Sequence, residues 1–376
     1  LKEQIPPKYI QLKQEIMSWI AAREYKPHDR LPSENEIAAQ FEMSRQTVRQ
    51  ALGDLEQEGR LYRVQGKGTF VSGHAPLPER SGDGAGGMTV GLITTHISDY
   101  IFPAIVRGVE STLRQQGAKL LLASTDNEKA KERESLASML REPLTGLIIE
   151  PTKSAEGDTN FDLFLTLDAQ QIPYVMLNER YSDVDAPVLR IDDELGGYLA
   201  AQHLLELGHT QIAGFFKTDD FQGVHRMRGF LRALREHRMA VQPDNLVRYT
   251  TEEKYTRPQS MLADMLDREH AQRPTAVICY NDELAVLMLD VIRRSGLQVP
   301  EHLSIVGFDD SSLATATEVK LTTLTHPKSE MGADAVDMLM KLAQRQPGER
   351  IMPDKIYAPS LVVRESTQPP RQPMQL

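Results

Sequence analysis

At 376 residues the chain exceeds what a single core usually organises and suits two or three domains. Apolar residues at 40% and charged residues at 26% exclude a disordered chain, and with no stretch of membrane-span length and no charged-then-apolar leader pattern a cytoplasmic location is expected. The net charge of −10 argues against nucleic acid only until it is divided, because residues 1–73 carry +1 and the remainder −11.

The first predicted helix carries Leu12, Ile16, Trp19 and Ile20 at helical spacing, which makes Trp19 a core residue rather than a stacking platform. A second opens at Pro32-Ser33-Glu34-Asn35-Glu36, where Ser33 and Glu36 form a capping box and Ile37, Ala38 and Phe41 face inward. Ser44 caps a third, whose Val48, Leu52 and Leu55 recur at i, i+4 and i+7 before Gly59 ends it. The runs Leu61–Val64 and Thr69–Val71 then flank the glycine-bearing turn Gln65-Gly66-Lys67-Gly68. Three helices followed by a hairpin is the order of a winged helix-turn-helix, an α+β fold whose third helix enters the major groove. Arg45, Gln46, Arg49 and Gln50 fall on the polar side of that helix, where Arg suits guanine and Gln suits adenine, while Thr47 suits a phosphate or a thymine methyl. Gly66 and Gly68 let backbone N–H groups approach a phosphate or the minor groove closely, with Gln65 and Lys67 beside them.

The segments Pro7-Lys8-Tyr9, Leu31-Pro32-Ser33-Glu34, Ser44–Arg49, Ala51-Leu52 and Gly66–Val71 resemble the GntR-family DNA reader over nearly all of residues 7–72. That resemblance implies DNA contact by Ser33, Glu34, Arg45, Thr47, Arg49, Gln65 and Gly66; Lys8, Gln46 and Lys67 complete the expected set. For Glu34 two roles stand side by side, acceptor for a cytosine amino group and favourable charge at a helix start.

Residues 74–87 are dense in Pro and Gly and read as a linker between a head at 1–73 and a body at 88–367, with 368–376 as a tail. The GxGxxG match at Gly82, Gly84 and Gly87 lacks the preceding strand and following helix that a dinucleotide loop requires. In the body, apolar runs at Val90–Thr94, Leu120–Ala123, Gly146–Ile149, Tyr174–Leu177, Ile212–Phe216, Ala276–Tyr280 and Ile305–Phe308 alternate with amphipathic stretches such as Ile105–Gln116, Leu199–Leu207 and Met227–Glu236. This rhythm predicts parallel sheets with helices on both faces, and about 280 residues of it predict two lobes. Cys279, the only cysteine, sits within one such run and reads as a buried strand thiol.

In parallel α/β sheets, ligand groups lie just beyond the carboxyl ends of strands, which singles out Glu150, Asn178, Asn281 and Asp309. Such groups, with an apolar wall from Tyr100 or Phe102, suit a polyol that both donates and accepts hydrogen bonds. Lys153 either binds a hydroxyl or pairs with Glu150, and Asp309-Asp310 alternatively caps a turn. His209 precedes a strand and so faces the wrong sheet edge for a site.

Val90–Ile93, Gly146–Ile149, His203–His209, Arg226–Phe230, Asn281-Asp282, Ile305–Asp310 and Leu321–Leu324 resemble the LacI/GalR regulators and their periplasmic sugar-binding relatives from about Met88 to Arg364. The resemblance implies a two-lobed periplasmic-binding-protein-like body, a ligand-binding role for Arg226 and a homodimer on a palindromic operator in double-stranded DNA. A GntR-type head on such a body is an uncommon pairing that resembles the arabinose-responsive repressors. Ser98–Pro103, Glu150–Ser154, Thr251–Lys254 and His326–Ser329 are similar to theirs. L-arabinose is the effector this implies, with another pentose or hexose as the alternative, release from DNA as its effect, and no further cofactor. An enzyme finds no support in the motifs: there is no HExxH, G-x-S-x-G, Walker A or paired-cysteine site, and the ten histidines are scattered. A transport-type binding protein shares the body but not the attached head.

Overall fold

The computed structural model describes residues 8–21, 25–26, 29–41, 43–57, 61–64, 68–71, 87–240, 242–345 and 352–371. They fall into two compact units, a head and a body. Apart from Gly87, the expected linker, with Gly82 and Gly84, lies outside the described residues, as do Gln65, Gly66 and Lys67.

The head has helices α1 (Lys8–Ala21), α2 (Glu34–Gln40) and α3 (Arg45–Gln57), then strands β1 (Leu61–Val64) and β2 (Gly68–Val71) in an antiparallel pair. Of the expected apolar positions, Leu12, Ile16, Trp19, Ile37, Val48, Leu52 and Leu55 are buried, while Ile20, Ala38 and Phe41 are half-buried against them; Trp19 packs 5.7 Å from Tyr25 and from Phe41. The capping box forms as its spacing requires: Glu36 N donates to Ser33 Oγ, and Ser33 N donates to Glu36 Oε2 at 2.7 Å. Ser44 Oγ accepts from Thr47 N at the start of α3. The segment before α2 adds to the hairpin edge, with Leu31 N donating to Thr69 O and Val71 N to Asp29 O.

The body begins with β3 (Thr89–Thr94), α4 (Phe102–Gln115), β4 (Lys119–Ser124), α5 (Lys129–Met139), β5 (Gly146–Ile149), α6 (Phe161–Ala169), β6 (Tyr174–Leu177) and β7 (Val188–Ile191). At Asp192 the chain crosses to a second lobe comprising α7 (Asp193–Glu206), β8 (Ile212–Lys217), α8 (Phe221–Glu236), β9 (Leu246–Tyr249), α9 (Arg257–Leu266), β10 (Ala276–Cys279), α10 (Asp282–Arg294), β11 (Ser304–Val306), α11 (Leu313–Ala316) and β12 (Thr323–Leu324). It returns near His326 to the first lobe for α12 (Lys328–Ala343) and β13 (Lys355–Tyr357), then crosses again to β14 (Leu361–Val362), which pairs with β12. The first sheet has order β13-β7-β6-β5-β3-β4 and the second β11-β10-β8-β9, both parallel throughout.

Apolar clusters cover both faces of each sheet, as continuous runs such as Leu147–Ile149 and Ala276–Cys279 demand. Cys279 is buried in the second sheet. Helices α7 and α8 touch through glycines: a Cβ on Gly229 would lie 1.9 Å from the Glu194 carbonyl oxygen, and one on Gly197 2.0 Å from that of Arg226. This contact presses the backbone of Arg226 against α7. Beyond Thr367 the chain remains on the second lobe, where the Gln368 carbonyl accepts from Ser304 Oγ and lies 2.8 Å from His209 Nε2. No helix among the described residues is long and apolar enough to cross a membrane.

Candidate functional site

Both sheets point the carboxyl ends of their strands at one cleft. Residues just past β3, β5, β6, β10 and β11 line a cavity of about 160 Å³ between the lobes: Thr95, Glu150, Asn178, Tyr280, Asn281 and Asp309. Tyr100, Phe102 and Lys153 also line it. Seven of the eight residues singled out for the body therefore converge with Arg226 standing one layer behind.

Glu150 is buried among donors: Thr95 gives its backbone N–H at 2.9 Å and its hydroxyl at 2.8 Å to one oxygen, and Asn178 Nδ2 reaches the other at 2.7 Å. Burial still raises the Glu150 pKa above the usual carboxylate range. Asn178 holds a left-handed backbone (φ 64°), and its Oδ1 lies 3.3 Å from His326 Nε2. Asn281 spends its Oδ1 on capping α10 through Leu284 N. Lys153 does not pair with Glu150; its Nζ meets Glu252 on the opposite lobe.

Arg226 is buried, and all three of its guanidinium nitrogens donate to protein acceptors. It donates to Asp193 Oδ1 at 2.7 Å, to the Tyr280 carbonyl at 2.7 Å and to Asp309 Oδ1 at 3.1 Å, while the Phe308 ring packs 3.6 Å from its guanidinium. Burial opposes its charge, but Asp309 and Asp193 outweigh that and raise its pKa. Asp193 is pushed up by burial to about 7 despite the arginine. Asp309 is thus a paired carboxylate rather than a simple turn cap, with a strained φ of 88°.

Several cavity residues escaped the sequence reading. Lys217, at the end of β8, is half-buried 2.9 Å from Asp220; desolvation lowers its pKa, yet Asp220 and Asp219 offset this and leave it raised. Tyr280 donates to Asp220 at 2.9 Å, and Thr251, Glu179 and Lys254 complete the mouth. The strand-end rule that found Asn178 applies equally to Lys217, which stands as the last residue of an otherwise apolar strand.

In the head, Arg45, Gln46 and Arg49 are exposed along one side of α3, with Thr47 half-buried and bonded to Ser44 at 2.8 Å. Lys8 is exposed at the start of α1. Glu34 has a partner that neither sequence reading supplied: Arg49 Nη2 lies 3.0 Å away and Arg63 3.5 Å away.

A winged helix-turn-helix and a two-lobed α/β body with a small polar cleft define a ligand-responsive DNA-binding regulator. Residues 8–71 match the model of the bacterial regulatory proteins of the gntR family, and residues 201–367 that of the periplasmic binding protein-like domain. The chain is 56% identical to the arabinose metabolism transcriptional repressor of Geobacillus stearothermophilus, over 98% of this chain and 99% of that one. It is 44% identical to the repressor of the same name from Halalkalibacterium halodurans, over 96% of each. A LacI family transcriptional regulator from Enterococcus faecium, solved with bound ribose, superimposes with a TM-score of 0.64 at 28% identity, over 75% of this chain and all of that one. The chain belongs to the family of arabinose metabolism transcriptional repressors. It is a DNA-binding, sugar-responsive repressor.

Proposed function

We propose that L-arabinose is the effector and that it binds in the inter-lobe cavity. The observation that carries this reading is the convergence of Glu150, Asn178, Asn281 and Asp309 on one small cavity from the strand ends of both lobes. Glu150, Asp309 and Lys153 supply charged partners for hydroxyls, Tyr100 and Phe102 the apolar wall, and Arg226 holds Asp309 in place. Lys217 joins this set.

The head reads DNA through Arg45, Gln46, Thr47 and Arg49, together with Lys8, Ser33, Glu34, Gln65, Gly66 and Lys67, and acts in the cytoplasm where that DNA lies. A homodimer on a palindromic operator fits the exposed edge strand β4, whose Leu120, Leu121 and Leu122 are none of them buried. Sugar binding releases the operator, and reciprocity requires operator DNA to weaken sugar binding by the same factor. Calorimetric titration of a panel of pentoses and hexoses, with and without operator, tests the reading. L-arabinose should bind tightest and more weakly to the DNA complex; equal affinities in the two titrations would sink the coupling.

A further inference from the structure

Tyr100 fits poorly as a mere wall. It stands between β3 and α4 in the first lobe, yet its hydroxyl crosses the cleft to the second. There it lies 2.7 Å from Asp309 Oδ2 and 2.8 Å from the Phe308 carbonyl, both acceptors, and accepts from Asp282 N, the first amide of α10, at 3.2 Å. A wall needs only a ring face, which Phe102 already offers at the same cavity. Tyr100 also holds φ at 60°, a left-handed conformation that is costly for an aromatic residue and is retained where surrounding contacts over-determine it.

Asp309 explains what the hydroxyl is for. One carboxylate oxygen is fixed from its own lobe by Arg226 and the other from the opposite lobe by Tyr100. The first lobe holds its backbone too, since Lys328 Nζ donates to the carbonyls of Asp309 and Asp310 at 2.7 and 2.9 Å. With the lobes apart, Arg226 alone would orient the carboxylate, while Asp282 N would keep its 3.0 Å bond to the Phe308 carbonyl of its own lobe.

We infer that Tyr100 is a positioning residue whose hydroxyl completes the orientation of Asp309 only when the lobes are closed, tying effector affinity to closure. This rests on the reading of the cavity as the effector site. The ring builds the cavity; the hydroxyl sets the carboxylate.

Tyr100→Phe in the full-length protein separates these roles, because it keeps the ring. Effector affinity, measured by calorimetry, should fall roughly tenfold to a hundredfold, the range expected when buried polar groups lose a partner. The melting temperature should fall by no more than the loss of one buried hydrogen bond explains, and saturating sugar should still release DNA. A variant that binds sugar as the wild type does overturns the assignment. So does a loss that adds in full to that of Asp309→Asn in the double variant, since Tyr100 would then act on the sugar directly. Should the wild type bind no sugar in the panel, the effector reading fails, and distances between spin labels on the two lobes of the ligand-free protein decide instead. Tyr100→Phe should shift that distribution toward open forms, and an unchanged distribution rules the strut out.

Discussion

Glu34 at the first position of α2 holds the guanidinium of Arg49 on α3 at 3.0 Å, so one candidate base-reading residue restrains another before DNA arrives. The pair is solvent-exposed and contributes little to stability. Its consequence is orientation: Arg49 is aimed by a carboxylate that also lies 3.5 Å from Arg63 on the hairpin.

Arg49→Ala should therefore weaken operator binding about 5- to 150-fold, the worth of one bidentate base contact, and Arg45→Ala should do likewise. Glu34→Gln should cost less at the consensus operator but relax discrimination where Arg49 reads. Anisotropy against single-base operator variants checks both, and sugar affinity in the isolated protein should be unaffected.

Much of this was legible in the chain. The capping box at Ser33 and Glu36, the i, i+4, i+7 stripe of Val48, Leu52 and Leu55, and the apolar runs of the central strands each follow from local chemistry, and each forms. Strands β7, β9 and β13 were not legible, because they are three or four residues long and carry charged members such as Arg190 and Arg248, and β14 is only two residues long. Helices α7 and α8 begin six residues before their amphipathic stripes, at Asp193 and Phe221, where an aspartate N-cap and not periodicity sets the start. For the site, the strand-end rule located the carboxylates and amides. It did not reveal that Arg226 would be consumed by Asp193 and Asp309, since that partnership joins residues 33 and 83 positions away.

Arg226→Ala should abolish the sugar response while leaving repression. It leaves two buried carboxylates without their counter-charge, so the body should lose about 3–5 kcal/mol of stability. Arg226→Lys should not restore the response, because a single ammonium cannot satisfy Asp193, Asp309 and the Tyr280 carbonyl in the geometry of a guanidinium. Denaturant unfolding and sugar-dependent gel shifts measure the two effects separately.

The glycine crossing gives a purely steric prediction. Gly229→Ala places a methyl 1.9 Å from the Glu194 carbonyl, and neither helix backbone can yield without moving the other. Overpacking of this kind costs about 1–3 kcal/mol, and it displaces the helix that carries Arg226. Thermal unfolding should show the loss, and calorimetry a weaker effector affinity, whereas Gly296→Ala, whose position is open though left-handed, should cost stability without touching the site.

Two sets of buried groups give the body opposite pH slopes. Asp193 and Asp282 are raised by burial to about 7, so the native state binds their protons more tightly than the unfolded chain does. Their contribution is complete below about pH 4, the usual aspartate value, and is lost as pH rises to 7. His326 is lowered by burial to about 4, so its contribution is present above the usual histidine value near 6.5 and is lost as pH falls toward 4. Asp193→Asn should flatten the decline between pH 4 and 7, and His326→Gln should remove part of the loss on acidification. Melting temperatures of wild type and both variants across pH 4–8 test this. If the Asp193→Asn curve runs parallel to the wild type throughout, Asp193 is ionised in the native state well below pH 7, and the arginine outweighs burial.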